Sequence, residues 1–136
     1  MNNVYIYKLY CKNKNISECY IGSTRNINKR ITYHRISTHN KNDTKYNRSM
    51  YQFIRNNGGF KNWKIDIIKT FKNIEKNIEN NKLIRIIERH FIIKNNSKLN
   101  INLPICNKYC VNFDLYYPLI CKIACLFYSS LDCNDF

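Results

Sequence analysis

Cys19-Tyr20-Ile21-Gly22-Ser23-Thr24 is the stretch from which the rest of the chain can be read. Its β-branched and aromatic residues predict a short strand over 18–23 that ends at Gly22. In a strand Tyr20 and Gly22 share one face and Ile21 takes the other. Ile21 is therefore expected in the core and Tyr20 at the surface of the sheet. Gly22 has no Cβ and lets another group approach the backbone closely. A tyrosine beside a bare backbone patch suits a phosphate pocket, although taken alone the segment reads better as an ordinary strand end with a surface Tyr.

Upstream, Val4-Tyr5-Ile6-Tyr7-Lys8-Leu9 reads as another strand, and the polar residues 11–17 read as a turn, which together predict an antiparallel hairpin. From about Asn26 the period becomes helical, with Ile27, Ile31 and His34 in step and Arg30 beside them. The polar stretch 37–44 interrupts it. A second helix is predicted over 45–57, with Tyr46, Met50, Phe53 and Ile54 on one face, Thr44 as N-cap and Gly58 as the stop. Trp63, Ile65 and Ile67 alternate with Lys64 and Asp66, predicting a third strand over 62–70. A long helix over about 75–95 follows, its apolar side formed by Ile84, Ile87, Phe91 and Ile92. The order β-β-α-α-β-α gives a mixed α/β class of the α+β kind: a small three-stranded antiparallel sheet flanked by helices.

The 136 residues suffice for one domain and a short tail, and an apolar fraction of 44% supports a core and argues against disorder throughout. The net charge of +14 is unevenly placed. Residues 1–104 carry 21 Lys/Arg against 6 Asp/Glu, or +15, whereas residues 105–136 carry 2 against 3, or −1. A basic body of this kind attracts polyphosphate, because neutralised phosphates release their counterions; nucleic acid is favoured over a merely basic solvated surface. Met1-Asn2-Asn3 leads straight into a strand pattern without an apolar leader, so an intracellular, reducing location is expected, with the seven cysteines as free thiols or metal ligands.

Five of those cysteines lie in residues 105–136, read as a cysteine-rich tail of unassigned role after a domain spanning 1–104. Its apolar stretch Leu115–Tyr128 contains Pro118 and Lys122 and is shorter than the ~20 residues of a membrane span. It is expected to pack on the domain, with no membrane partner. Cys106, Cys110, Cys121 and Cys125 could close a zinc site, but both pairs are spaced by three residues rather than two, and thiols buried as small hydrophobes are the simpler reading.

Two further features of the body bear on chemistry. Arg30 and His34 are four apart, hence on one helical face, next to apolar residues expected to be buried, so the guanidinium is held at the edge of the core. Its planar fork suits a phosphate, against the plainer reading of a snorkelling Arg and a satisfied edge His. Glu88 has Ile84, Ile87, Phe91 and Ile92 as helical neighbours, a poor place for a solvated carboxylate. It needs a cation, either a structural ion-pair partner or a metal ion.

Together these segments resemble the GIY-YIG endonucleases, in particular short single-domain members such as those of large DNA viruses. That pattern has a Gly-Ile-Tyr strand, a Tyr-Ile-Gly strand about ten residues on, an Arg helix, a Glu helix and a closing Asn. Here Tyr5-Ile6-Tyr7 stands at the first motif, with Tyr5 in place of Gly and Tyr7 retained. Tyr20-Ile21-Gly22-Ser23-Thr24 matches the second motif. Arg30 and His34 match the Arg-x-x-x-His helix, Glu88 the metal-binding Glu, and Asn100 the closing Asn in preference to Asn102.

The resemblance covers residues 4–104 and implies hydrolysis of DNA phosphodiester bonds, leaving a 5′-phosphate and a 3′-hydroxyl. It implies one divalent metal, Mg²⁺ or Mn²⁺, on Glu88 and no small-molecule cofactor. Arg30 would stabilise the scissile phosphate. Tyr7, Tyr20 or His34 would activate the water, a tyrosine base requiring a lowered pKa. Asn100 would support the site. Gly22, Ser23, Arg25, Lys29 and Arg35 are expected to contact the nucleic acid. A monomer or weak oligomer is expected. The competing readings are a non-catalytic nucleic-acid-binding module on the same fold, which retention of Tyr7, Tyr20, Arg30 and Glu88 argues against, and an interaction protein acting through its tail.

Overall fold

A computed structural model describes residues 2–102. The cysteine-rich tail 105–136, with the zinc pairs and the apolar stretch Leu115–Tyr128, lies outside the described residues, as does its boundary with the domain at 104.

The chain runs β1 (Val4–Cys11), β2 (Cys19–Thr24), α1 (Ile27–His39), α2 (Ser49–Asn56), a single 3₁₀ turn (Phe60–Asn62), β3 (Trp63–Phe71) and α3 (Ile78–Lys94), which is the predicted order. The sheet is fully antiparallel, ordered β2-β1-β3, so β1 is central and β2 is an edge.

Side-chain alternation along β1 sends Val4 and Ile6 to one face and Tyr7, Leu9 and Cys11 to the other, so the sheet carries a core on each face. Val4, Ile6 and Ile21 meet Phe71, Ile87, Phe91 and Ile92 beneath α3. Leu9 and Cys11 meet Met50, Tyr51, Ile54 and Trp63 beneath α2. A fully buried isoleucine such as Ile6 or Ile21 contributes roughly 2 kcal/mol. Asn26 and Asn77 cap α1 and α3, accepting hydrogen bonds from Lys29 N (2.9 Å) and Asn80 N (2.8 Å). Gly58 ends α2 as predicted: it takes φ +88°, and Gly59 N–H closes back on Ile54 O (2.9 Å).

Three local expectations are corrected. Helix α2 starts at Ser49 rather than 45, and Thr44 does not cap it. The Asn40 and Asp43 side chains accept from Asn42 N and Lys45 N, holding residues 40–46 in turns that compete with helix. In β3 the alternation breaks at a bulge: Tyr7 pairs with Ile67 but Ile6 with Lys69, so Ile68 is the extra residue. Ile67 is left exposed while Ile68 packs on the core. In α1, Ile27 and Ile31 are only half-buried, and the buried positions are the polar His34, Ser37 and Thr38.

Candidate active site

The site forms around the free edge of β2. An edge strand exposes backbone N–H and C=O groups that need partners. Here they come from the segment after α3. Ile21 N–H donates to Asn100 Oδ1 (2.8 Å) and Asn100 Nδ2 donates to Ile21 O (2.8 Å), while Leu99 N–H donates to Cys19 O (3.1 Å). The Asn100 amide thus stands in for a neighbouring strand. Both ends of its side chain are engaged by the Ile21 backbone. Ile21 lies in the core under α3, as expected.

Because β2 is an edge, groups from both faces of the sheet reach it. Tyr20 and Gly22 stand on the α1–α2 face, opposite Leu9 and Tyr7. Ser23 stands on the α3 face, opposite Ile6, and its hydroxyl donates to Glu88 Oε2 from α3. Arg30 and His34 approach from α1. The result is a cavity of about 460 Å³ whose lining includes Tyr20, Arg30, His34, Tyr51, Glu88 and Asn100, with Lys45 and Arg48 adding positive charge.

Gly22 has a different use from the one expected. It pairs with Tyr7, and a Cβ built on it would lie 2.5 Å from Tyr7 Oη and 2.7 Å from Tyr7 Cζ. The bare patch is filled by the Tyr7 ring, so it is not open to a phosphate. Ser23 is likewise turned inward to Glu88.

Tyr7 is fully buried, and its hydroxyl lies 2.8 Å from His34 Nε2. The other imidazole nitrogen, Nδ1, lies 3.0 Å from the Tyr51 hydroxyl. The Tyr20 ring stands beside both, with centroids 6.3 Å from Tyr7 and 5.7 Å from His34. Burial raises the Tyr7 pKa well above the ordinary value, with Tyr20 adding to it and Arg30 opposing. Burial likewise pushes Tyr20 up to about 12, with Glu88 adding and Arg30 opposing. Among the protein groups alone, desolvation of both tyrosines outweighs the guanidinium charge. His34 moves the other way, down to about 4, through burial and then the charges of Arg30 and Lys45. At neutral pH it is an uncharged imidazole with one nitrogen free to accept.

Glu88 is half-buried and its pKa is raised by desolvation, which the Ser23 hydrogen bond and Arg30 only partly offset. Arg30 is half-buried, and its guanidinium has no hydrogen bond or ion pair with the described residues. Its charge nevertheless acts on Tyr7, Tyr20, His34, Tyr51 and Glu88 together, which fixes its place among them.

The three other basic residues separate. Lys29 and Arg35 are exposed on α1, Lys29 lying 5.7 Å from the Tyr33 ring centroid. Arg25 is consumed internally: Nη1 donates to Ile74 O (2.5 Å) and Nη2 to Glu75 O (3.1 Å), tying the end of β2 to the loop before α3. Tyr51, Lys45 and Arg48 were not singled out from the sequence. Moving the start of α2 to Ser49 makes Met50, Tyr51 and Ile54 its buried face, and a tyrosine there needs a polar partner.

A family model described as the GIY-YIG catalytic domain matches residues 3–100, a stretch that contains every site residue from Tyr7 to Asn100. The fold is thus that of a family of nucleases. The chain belongs to the GIY-YIG endonuclease family. No curated protein and no solved structure gives a match.

Proposed function

We propose that this chain cleaves DNA by hydrolysing phosphodiester bonds at the β2-edge cavity, with residues 1–104 as the catalytic domain and one divalent metal ion, Mg²⁺ or Mn²⁺, on Glu88. The observation that carries the reading is the pairing of a desolvated carboxylate, Glu88, with a guanidinium, Arg30, that has no partner among the described residues, in one cavity. A desolvated carboxylate and a free guanidinium are what a metal-bound phosphate would satisfy together.

The donor set fits a loosely held ion. Among the described residues no group of three His, Cys, Asp or Glu is placed to enclose one. A single carboxylate, completed by water and substrate phosphate oxygens, suits Mg²⁺. When bound, the ion supplies Lewis-acid stabilisation of charge on the phosphate and the departing oxygen.

The protein groups divide the remaining work. Arg30 neutralises the charge gathering on the scissile phosphate. Tyr7 is too strongly protonated to act as a phenolate. Its oxygen takes a proton from the attacking water as its own proton passes to the neutral His34 at 2.8 Å. Tyr20 walls the phosphate side of this pair, and Asn100 holds β2 in place. Lys29, Arg35, Lys45 and Arg48 draw in the DNA backbone.

The experiment is a plasmid-nicking assay with Mg²⁺, wild type beside Glu88→Gln and Arg30→Ala. Nicking should fall by about 10²-fold or more in each variant. Intact plasmid after incubation of folded wild type with Mg²⁺ or Mn²⁺ would defeat the reading. Salt-dependent binding in that case would leave a non-catalytic binding module.

A further inference from the structure

The sequence places Ser23 against nucleic acid, yet the fold turns it to α3, where its hydroxyl donates to Glu88 Oε2. Among the described residues Ser23 is the one residue hydrogen-bonded to the Glu88 carboxylate, and Oε1 accepts no hydrogen bond from them. Glu88 lines the cavity together with Tyr20, Arg30 and His34.

The two partners differ in freedom. Ser23 sits on β2, a strand held along both edges. On one side it pairs with Ile6 of β1. On the other side, two residues earlier in the strand, the Ile21 N–H and C=O are both engaged by Asn100, at 2.8 Å each. Glu88 instead carries its carboxylate on a long side chain that gives up much rotamer freedom when it is fixed. Order therefore passes from Ser23 to Glu88 and not the reverse. Charge does not replace this contact. Arg30 and Arg85 both favour the ionised carboxylate, but neither is hydrogen-bonded to it among the described residues. A nearby charge attracts a carboxylate without choosing between its oxygens, whereas a hydroxyl with one proton engages a single oxygen.

We infer that Ser23 is a positioning residue: by holding Oε2 it fixes the Glu88 carboxylate in the orientation that takes the divalent metal ion. Ser23 itself touches neither the ion nor DNA. The inference rests on the proposed nuclease reading, in which the ion sits on Glu88, and adds the residue that orients this ligand. Hydrogen-bond partners of ligating carboxylates tune metal affinity, and their loss typically costs about 10–100-fold. A serine that did no more than satisfy a desolvated carboxylate would alter folding stability and leave the affinity for the ion unchanged.

The test is Mn²⁺ binding by the full-length protein without DNA, read as loss of the free-ion EPR signal, for wild type, Ser23→Ala, Ser23→Thr and Glu88→Gln. Urea unfolding of each variant reports stability alongside. Ser23→Ala deletes one oxygen at a half-buried strand position, so the domain should stay folded. Glu88→Gln should abolish the Mn²⁺ uptake of wild type. Ser23→Ala should raise the Mn²⁺ dissociation constant by about 10–100-fold. Ser23→Thr keeps the hydroxyl and should restore it. In the nicking assay, added Mn²⁺ should recover Ser23→Ala but not Glu88→Gln, because the first weakens the ion's site and the second removes it. Wild-type Mn²⁺ affinity in Ser23→Ala, whatever its stability, overturns the role of Ser23 and leaves the nuclease reading standing. So does a folded Ser23→Thr that binds as weakly as Ser23→Ala. Wild type that takes up no more Mn²⁺ than Glu88→Gln overturns the placing of the ion on Glu88 and this inference with it. Weakened uptake in Ser23→Ala that threonine restores, in a protein that leaves DNA intact, supports the positioning role and counts against the nuclease reading alone.

Discussion

Gly22→Ala is the substitution for which the structure gives the sharpest expectation. Gly22 does not occupy the left-handed region, so alanine meets no backbone penalty, and the whole effect is space. The added Cβ would sit 2.5 Å from Tyr7 Oη, 2.7 Å from Tyr7 Cζ and 3.0 Å from Tyr20 Cε1, where ordinary contact begins at 3.4 Å. The Tyr7 ring must therefore give way by about 0.9 Å. It has little freedom to do so, being fully buried and hydrogen-bonded to His34. Overpacking of this kind costs about 1–3 kcal/mol, and alanine returns roughly 0.5–1 kcal/mol over glycine within a strand, leaving a net loss of up to about 2.5 kcal/mol. A displacement near 1 Å of the group that takes the water proton should lower the rate by about 10²-fold.

The assay is urea unfolding together with plasmid nicking for wild type, Gly22→Ala, Tyr7→Phe and the double variant. Tyr7→Phe removes the atom in the shortest contact. The double variant should therefore be more stable than the sum of the single changes predicts, while remaining as inactive as Tyr7→Phe. Gly22→Ala with wild-type stability and rate, or strict additivity in the cycle, would refute the claim that Gly22 exists to seat Tyr7.

Three further outcomes are expected. Asn100→Ala strips the partners from Ile21 N and O and should cost about 1–3 kcal/mol in urea unfolding, with cleavage reduced rather than abolished. Because the His34 pKa is lowered from 6.5 to about 4 in the fold, wild type should lose stability relative to His34→Gln as pH falls from 6.5 to about 4. In that window the unfolded chain binds a proton that the folded chain refuses; the difference is absent above 6.5, levels off below about 4 and totals about 3 kcal/mol. In DNA-binding titrations across salt, Lys29→Gln should reduce the log–log slope by about 0.9. Arg25→Gln should leave that slope unchanged and instead lower stability by roughly 1 kcal/mol, since its guanidinium is already bonded to Ile74 O and Glu75 O.

What the sequence determined by itself is local or periodic. Alternation around Tyr20 and Ile21 placed the hairpin, and the periodicity of Ile87, Phe91 and Ile92 marked the inner face of α3, with Glu88 beside it. Both patterns arise from repeats fixed by backbone geometry, so one stretch suffices to reveal them. Tertiary structure decided what depends on partners distant in the chain. Gly22 looked like an opening for phosphate and is a seat for Tyr7, fifteen residues earlier, because the antiparallel register sets them opposite each other. Arg25 and Lys29 look alike as basic residues beside a strand, and only the Ile74–Glu75 carbonyls separate the structural one from the exposed one. Tyr51 gave no signal until turns at Asn40 and Asp43 displaced the start of α2 and rotated it onto His34. Above all, the tyrosine pKa values were set by burial rather than by the arginine beside them, and burial is a property of the packed chain that no residue carries in its own name.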